Sequence, residues 1–329
     1  MKDRKLFYLL YLFIAANFVF FNAGCSKDED PVTPPVTVNE SEELVKYFEA
    51  NGDFINTSAP AMITATDVNA LLNDQTVAIL DIRSATDFAT GHIQGAVNVT
   101  VGNLLSYYQS NNLSTKSKVV VACYTGQTAG FGTAILRLAG YTNVFDLKWG
   151  MCSWAYPNSW NNSKTNGQNN PITKQTTANA KNTAGSLPTL STGKTTGAEI
   201  LTSRLATLST EGFDPAKIDR TTLYSNLSNY YIVNYWSETD YNSGHIEGAI
   251  QYTPKADLKL STFLKTLPTN KTIVVYCYTG QTSSQLVVFL RALGYDAKSL
   301  LFGANNLFYD TMPGTKWVDT ECKNFPVVQ

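Results

Sequence analysis

A six-residue segment that occurs twice constrains the fold of this chain more than any other feature. The sequence Cys-Tyr-Thr-Gly-Gln-Thr is found at residues 123–128 and again at residues 277–282. Each copy follows a run of β-branched and apolar residues, and each precedes a segment with the apolar spacing of a helix. Each cysteine is therefore predicted to lie on a turn between a strand and a helix. Backbone N–H groups and the positive end of a helix can stabilise a thiolate there.

The duplication extends over whole domains. Residues 81–98 align with residues 234–251 without a gap, and the offset between the two copies is about 154 residues. This spacing is too long for a solenoid repeat and suits a complete domain. Two homologous domains are predicted, at residues 41–157 and 198–329. The stretch between them, residues 158–197, is rich in Asn, Thr, Lys and Gly and is predicted to be a linker or a long surface insertion.

Predicted strands and helices alternate within each repeat. The first copy shows strands near residues 77–81, 93–99, 119–122 and 144–147, with helices between them. This order predicts an α/β fold with two tandem domains, each a small parallel sheet flanked by helices. In such sheets the functional loops follow the carboxyl ends of the strands. Both cysteine loops are predicted to lie at these ends.

Composition excludes several classes of function. The chain has 329 residues, of which 43% are hydrophobic, and its net charge is −1. No basic run lies outside the extreme N-terminus, so nothing in the charge pattern indicates a nucleic-acid partner. With only two histidines, His92 and His245, a zinc site or a Ser/His/Asp triad is nearly excluded. We expect no metal and no cofactor.

Residues 1–24 are predicted to be an export signal. Three basic residues within the first five positions precede a mostly apolar stretch at residues 6–21, and two small residues then lead into Cys25. The pattern resembles a bacterial lipoprotein signal peptide, with Cys25 as the lipidated first residue of the mature protein. Asn22 departs from this pattern, because the residue three before the cysteine is usually aliphatic. An uncleaved membrane anchor is the weaker alternative, because the apolar run is short and Asn17 interrupts it.

Residues 25–40 are predicted to be a tether. The acidic segment at residues 26–30 looks like the one that marks surface-exported lipoproteins in Bacteroidetes-type bacteria, and a Pro/Thr/Val stretch follows it. The resemblance predicts a lipoprotein of the outer membrane that contacts the membrane through its lipid anchor. The acidic segment has a second interpretation, because a charged stretch beside a lipid anchor is also well solvated without any exposure at the cell surface.

Three motifs in a fixed order resemble the rhodanese-like sulfurtransferase family, which includes thiosulfate and mercaptopyruvate sulfurtransferases. They are an Asp-x-Arg strand end at Asp81 and Arg83, a Gly-His-Ile-x-Gly-Ala turn and the Cys-x-x-Gly-x-Thr loop. The resemblance covers residues 62–155 and 215–312. It implies a small α/β domain whose loop cysteine accepts a sulfane sulfur as a persulfide. The sulfur then passes to a nucleophile such as a thiol or cyanide.

The family resemblance and the loop chemistry together assign the candidate residues. Cys123 and Cys277 are predicted to be catalytic, while Asp81, Arg83, His92 and His245 are predicted to support them, the histidines in a structural rather than a catalytic role. The persulfide or an anionic donor is predicted to bind the backbone of the two loops. The loop residues are Tyr124, Thr125, Gly126, Gln127 and Thr128 in the first domain, and Tyr278, Thr279, Gly280, Gln281 and Thr282 in the second.

Two departures from the family pattern bear on activity. Tyr124 and Thr125 are neutral where many thiosulfate-using relatives have basic residues, so thiosulfate lacks its obvious partners. In the second repeat Asn234 and Trp236 replace the Asp81 and Arg83 of the first. Cys123 is therefore predicted to be the principal sulfur carrier.

Cys152 and Cys322 are left outside the loops. Cys152 follows a predicted strand, so it is expected near the same sheet edge as Cys123. A resolving thiol, a disulfide and an unpaired buried cysteine all remain open for these two residues. Trp149 stands where relatives have a small residue, and it is expected to pack in the core or to narrow the cleft over Cys123.

Two classes of function fit the sequence. The first is a sulfurtransferase that uses a small sulfane donor or a persulfidated partner outside the cytoplasm. The second is a non-catalytic, surface-anchored module whose loops bind an anion or a partner protein. Retention of both loop cysteines favours the enzyme, whereas the neutral loops and the missing Asp/Arg pair of the second repeat favour the module.

Overall fold

The computed structural model describes residues 38–166 and 174–329. The predicted signal peptide, the lipidation residue Cys25 and most of the predicted tether lie outside these ranges. None of the helices in the described part of the chain is both long and apolar enough to cross a membrane.

The first domain is a five-stranded parallel sheet with helices on both faces. The strands lie in the order β1-β5-β4-β2-β3, and every neighbouring pair is parallel. The central strand is rich in valine and buried, as strands covered on both faces are. The elements are α1 (Glu40–Ala50), α2 (Phe54–Thr57), β1 (Met62–Ile63), α3 (Ala65–Ala70), β2 (Val77–Asp81), α4 (Ala85–Thr90), β3 (Val97–Asn98), α5 (Leu104–Ser110), β4 (Lys118–Ala122), α6 (Gln127–Leu138), β5 (Val144–Leu147), α7 (Met151–Trp154) and α8 (Asn158–Ser163).

The second domain repeats this arrangement strand for strand. Its sheet has the order β7-β12-β11-β8-β10 and is also parallel throughout. The prediction of two tandem α/β domains is therefore confirmed. The elements are β6 (Lys174–Gln175), α9 (Gly197–Glu211), β7 (Lys217–Ile218), α10 (Arg220–Ser225), β8 (Tyr230–Asn234), α11 (Glu238–Asn242), β9 (His245–Ile246), β10 (Ile250–Gln251), β11 (Thr272–Tyr276), α12 (Gln281–Ala292) and β12 (Ala297–Leu300).

The stretch predicted as a linker contributes to the packed structure. Trp160 of α8 is fully buried, and strand β6 pairs with β9 in the antiparallel sense. The polar composition of residues 158–197 conceals these contacts, because Trp160 is the one apolar residue of α8. Residues 167–173 lie outside the described residues.

Helices α6 and α12, which follow the two cysteine loops, pack against each other where the domains meet. A Cβ atom on Gly130 would lie 2.4 Å from Ser284 Oγ, so the absence of a side chain allows this close approach. Phe131 and Ile135 of α6 share one buried cluster with Leu286 and Phe289 of α12. Residues 38–329 accordingly form a single compact unit with a core that runs through both domains.

Replacing Phe289 by Ala is expected to destabilise both domains together. The ring is 1% exposed, and its centroid lies 5.4 Å from that of the Phe48 ring. Truncation should therefore lower the free energy of unfolding by about 3 to 5 kcal/mol. Urea unfolding followed by tryptophan fluorescence and by circular dichroism should show one shared transition at lower urea. Phe263→Ala, at a ring that is 44% exposed, is the matched control. Two separate transitions in the wild-type chain would contradict a shared core.

Candidate active site

The first cysteine loop surrounds a sulfur atom with backbone N–H groups. Gly126 and Ala129 donate to Cys123 Sγ at 3.2 and 3.3 Å. Gly126 has a φ of +83°, in the left-handed region that the turn from β4 into α6 requires. Gly150 lies directly over this turn, since a Cβ there would be 2.5 Å from both Cys123 O and Gly126 N. The loop is thus held by close backbone contact, and its N–H groups point at the sulfur as predicted.

The second loop is built in the same way. Gly280 and Ser283 donate through their N–H groups to Cys277 Sγ at 3.1 and 3.4 Å, and the thiol lies 3.5 Å from Ser283 Oγ. Gly280 has a φ of +78°, and Gly303 takes the position that Gly150 has in the first domain. Both loops therefore enclose a thiol and direct backbone N–H groups at its sulfur.

Burial opposes the ionisation that these N–H groups favour. Cys123 and Cys277 are each 2% exposed. Burial, together with the carboxyl group of Asp146, raises the pKa of Cys123 to about 12, although N–H groups of the loop act in the opposite direction. The N–H groups were expected to yield a thiolate, but in this structure desolvation outweighs them. The Cys123 thiol is accordingly protonated at neutral pH.

Asp146 distinguishes the first site from the second. It lies in β5, is fully buried, and burial raises its pKa well above the usual range for a carboxyl group. The matching residue of the second domain is Ser299, which hydrogen-bonds Ser283 at 2.8 Å. Asp146 was missed in the sequence, where a carboxylate inside the apolar strand Val-Phe-Asp-Leu was the available signal.

The loop glutamines join the two domains. Gln127 accepts a hydrogen bond from the Phe302 N–H at 2.6 Å, and Gln281 accepts one from the Trp149 N–H at 3.0 Å. Gln281 also donates to Asp146 Oδ2 at 2.8 Å. The predicted binding of a persulfide or an anion involves the backbone of these loops, and the glutamine side chains reach across to the opposite domain.

The loop tyrosines make a matched pair of contacts. The Tyr124 hydroxyl donates to the carboxylate of Asp87, and the Tyr278 hydroxyl donates to that of Asp240. Hydrogen bonds from Ser84 and Tyr124 lower the pKa of Asp87. Sequence reasoning missed both aspartates, although they occupy the same position in the aligned repeats.

The loop threonines have less marked roles. Thr125 accepts a hydrogen bond from the Gln127 side chain at 3.1 Å, and Thr279 accepts one from the Gln281 N–H at 3.2 Å. Thr128 and Thr282 are half-buried in the first turns of α6 and α12.

Asp81 and Arg83 form a buried ion pair at the carboxyl end of β2. The arginine Nη2 lies 2.6 Å from Asp81 Oδ2 and also donates to Gly91 O at 2.8 Å. Arg83 borders a cavity of about 230 Å³ beside the first loop and is the one cation among its lining residues. These are Arg83, Asp87, Thr90, Tyr124, Met151, Cys152, Tyr156, Asn158 and Ser159.

An aromatic ring takes the place of this arginine in the second domain. Trp236 is fully buried and stacks on Tyr278 with 5.0 Å between ring centroids. Asn234, at the position of Asp81, donates instead to the Tyr276 hydroxyl at 2.7 Å. The second domain has therefore replaced a charged cavity wall by neutral packing.

The two histidines make local contacts. His92 Nδ1 lies 2.9 Å from Phe88 O, and its ring stacks on that of Phe88 at 3.7 Å. His245 repeats both contacts with Tyr241, at 2.9 and 3.6 Å. Burial lowers the pKa of His245. These contacts brace the turn that carries each histidine.

Four aromatic residues cover the region between the loops, and we call them the aromatic cap: Trp149, Trp160, Phe302 and Trp317. Trp160 lies 4.6 Å from Trp149 and 4.9 Å from Phe302 between ring centroids. Its indole N–H donates to Thr125 O of the first loop at 3.1 Å. Trp149 was expected to pack in the core or to narrow the cleft over Cys123, and it is 1% exposed and packs in this cluster with two tryptophans from other parts of the chain.

Comparison with known proteins points to one family. The family model described as rhodanese-like domain matches residues 64–156 and 221–307. Thiosulfate sulfurtransferase GlpE of Pseudomonas fluorescens is 33% identical over 88 residues, which are 26% of this chain and 79% of that protein. The uncharacterized protein YibN of Escherichia coli is 32% identical over 107 residues, which are 31% of this chain and 72% of that protein. A human single-domain sulfurtransferase structure has a TM-score of 0.24 and 24% identity, covering 27% of this chain and 89% of its own.

Replacing Asp146 by Ser should lower the pKa of Cys123. The variant copies Ser299 of the second domain and removes a carboxyl group that disfavours the thiolate. We expect iodoacetamide to label Cys123 about three- to tenfold faster at pH 8, with the pH profile displaced to lower pH.

Peptide mass spectrometry measures this labelling separately for each cysteine. Ser299→Asp is the reciprocal variant and should slow labelling of Cys277. An unchanged pH profile in Asp146→Ser would show that the carboxyl group does not act on the sulfur.

Proposed function

We propose that this chain, which belongs to the rhodanese-like domain family, is a sulfurtransferase that carries a sulfane sulfur as a persulfide on Cys123. The observation that carries the proposal is the pair of N–H donors, from Gly126 and Ala129, aimed at Cys123 Sγ. Such donors stabilise negative charge on sulfur without a general base. A structural cysteine in an apolar core has no need of them.

The reaction proceeds in two displacements. In the first, the Cys123 thiolate attacks the outer sulfur of a sulfane donor, the sulfur–sulfur bond of the donor breaks, and the electron pair leaves with its remainder. In the second, an acceptor thiolate or cyanide attacks the outer sulfur of the persulfide. The Cys123 thiolate is released, and the enzyme is ready for another donor.

The first domain is the better candidate for turnover. The 230 Å³ cavity bordered by Arg83 lies beside Tyr124 and gives a small donor a place to approach the first loop. In the second domain Trp236 fills the corresponding position and stacks on Tyr278. Cys277 keeps the same N–H donors, so it retains the chemistry but lacks this approach.

The cavity favours donors of low charge. Arg83 is the one cation among the lining residues, and its guanidinium is already paired with Asp81. Asp87 also lines the cavity and adds a negative charge. A doubly charged donor such as thiosulfate therefore gains little, while a neutral or organic persulfide fits the site better.

A second candidate function rests on the burial of the sulfurs. Both loop cysteines are 2% exposed, and the pKa of Cys123 is raised to about 12. A rhodanese-like module that binds a partner without turning over sulfur would need no more exposure than this. Sulfur transfer, in contrast, requires the aromatic cap or Tyr124 to move before a donor can reach Cys123.

Cys123→Ser is expected to abolish most sulfur uptake. After incubation with an organic persulfide, wild-type protein should gain the mass of one sulfur atom, and cyanide should remove it. Cys277→Ser is the matched control and should retain most of the uptake. If Cys123→Ser gains as much sulfur as wild type while Cys277→Ser gains none, the second loop is the carrier. If neither loop takes up sulfur, the binding-module function is preferred.

We also propose that the protein is exported and anchored to the outer membrane through a lipid on Cys25. The proposal rests on the basic, apolar and small-residue order of the first 25 residues and on the acidic tether after them. An anchored sulfurtransferase would meet its sulfur donor and thiol acceptor outside the cytoplasm.

Cys25→Ala should remain an unprocessed precursor, because cleavage of a lipoprotein signal requires the lipidated cysteine. Metabolic labelling with a fatty-acid analogue and immunoblotting of membrane fractions test this. Ser26→Ala is the matched control and should be processed normally. Persistent lipid label on Cys25→Ala would rule the anchor out.

A further inference from the structure

The C-terminal segment returns from the second domain to cover the first. Trp317 packs against Trp149 with 5.5 Å between ring centroids. Further along, Trp154 Nε1 donates to Pro326 O at 2.9 Å, and Val328 pairs with His92 through two backbone hydrogen bonds. Residues 317–329, which we call the tail, therefore lie along the same side of the first domain as the aromatic cap.

Cys322 of the tail is held beside Cys152. The residue before it, Glu321, lies 4.0 Å from Lys148 Nζ, and the residue after it, Lys323, donates its N–H to Ser153 O at 2.8 Å. In the sequence, Cys152 lies between Lys148 and Ser153, the two residues of the first domain that these contacts reach. Backbones joined by such a hydrogen bond lie about 5 Å apart, within the Cα separation of disulfide-bonded cysteines. Both thiols belong to the same buried cluster as the aromatic cap.

The two thiols differ in accessibility. Cys322 is 8% exposed and Cys152 is 1% exposed, and both are free thiols in this structure. Cys152 also borders the 230 Å³ cavity beside the first loop. Burial raises the pKa of Cys152 to about 11, with a further contribution from Cys322. A small oxidant therefore reaches Cys322 first, and Cys152 is placed to resolve the product.

We infer that Cys152 and Cys322 form a reversible disulfide that fastens the tail, and with it the aromatic cap, over the first cysteine loop. The oxidant is a low-molecular-weight disulfide. The Cys322 thiolate attacks it to form a mixed disulfide and releases one small thiol, and the Cys152 thiolate then displaces the second. The two protein thiols lose two electrons and two protons, and the small disulfide gains them. Reduction by a small dithiol reverses both steps.

The disulfide regulates access to Cys123. Trp317 lies five residues before Cys322, and its indole N–H donates to Asn161 of α8 at 2.8 Å, next to Trp160 over the first loop. Because Cys123 is 2% exposed, a reagent reaches it only when residues around the first loop move, and Trp160 is attached to that loop by its hydrogen bond to Thr125 O. Oxidation joins the tail covalently to the first domain and restricts that movement, while reduction restores it.

Peptide mapping of the full chain tests the bond, whatever chemistry Cys123 performs. Wild-type protein is treated with oxidised glutathione, alkylated and digested with trypsin without reduction. We expect peptide 149–164 linked to peptide 317–323, released by dithiothreitol and absent from Cys322→Ser and Cys152→Ser. Full alkylation of both cysteines under oxidising conditions, or a link from Cys322 to Cys123 or Cys277, would overturn the inference.

The effect of the disulfide on access to Cys123 is measured in the same samples, as the rate at which this cysteine is labelled. Iodoacetamide labelling of peptide 119–137 should be about fivefold or more slower in oxidised than in reduced wild type. Oxidised Cys322→Ser should label at the reduced wild-type rate. The oxidised and reduced forms of wild type have the same sequence, so a difference between them cannot come from an effect of a substitution on folding. Equal labelling of both wild-type forms, with the disulfide present, would reject the effect on access.

Discussion

The reciprocal contacts of Gln127 and Gln281 are the constraint on which both sites depend. Each glutamine leaves its own loop and accepts a backbone N–H from the turn that follows the last strand of the other domain. That turn carries the glycine, Gly150 or Gly303, which lies directly against the cysteine loop of its own domain. Each loop is therefore held in shape partly by the other domain. The two domains form one unit, and neither site is expected to keep its geometry alone.

The same frame supports two chemically different sites. In the first domain, the buried Asp146 carboxyl group faces the loop, and Arg83 borders a cavity. In the second, Ser299 and Trp236 occupy these positions, so charge is replaced by a hydroxyl group and a stacked ring. The N–H donors to sulfur are retained in both. The loop is thus the feature that the two domains share, and its surroundings differ between the two cysteines.

The repeated motif allowed the fold and the position of the cysteines to be predicted, because strand and helix periodicity and loop order are local features. The Asp81–Arg83 pair was predicted for the same reason, since its members are two residues apart. The contact from Gln281 to Asp146 spans 135 residues and the hydrogen bond from Trp160 spans 35, and no local pattern encodes either. The aromatic cap likewise assembles residues from the turn after β5, from α8, from the turn after β12 and from the tail. Polar sequence around Trp160 indicated a linker, and tertiary packing overrode that signal.

The high pKa of Cys123 and its N–H donors are compatible if the cap controls desolvation. Burial is the largest cause of the raised pKa. Cys123 lies in a buried cluster with Leu104, Tyr108 and Ala129, and Trp160 of the aromatic cap donates to Thr125 O of the same loop. The N–H groups belong to the loop and to α6, which the domain interface holds in place. When the cap moves, water reaches the sulfur and the desolvation penalty falls, while the donors stay where they are. Under the proposed sulfurtransferase function, such an opening lowers the pKa of the thiol and admits the donor in the same movement, so the nucleophile becomes reactive only when a substrate can reach it.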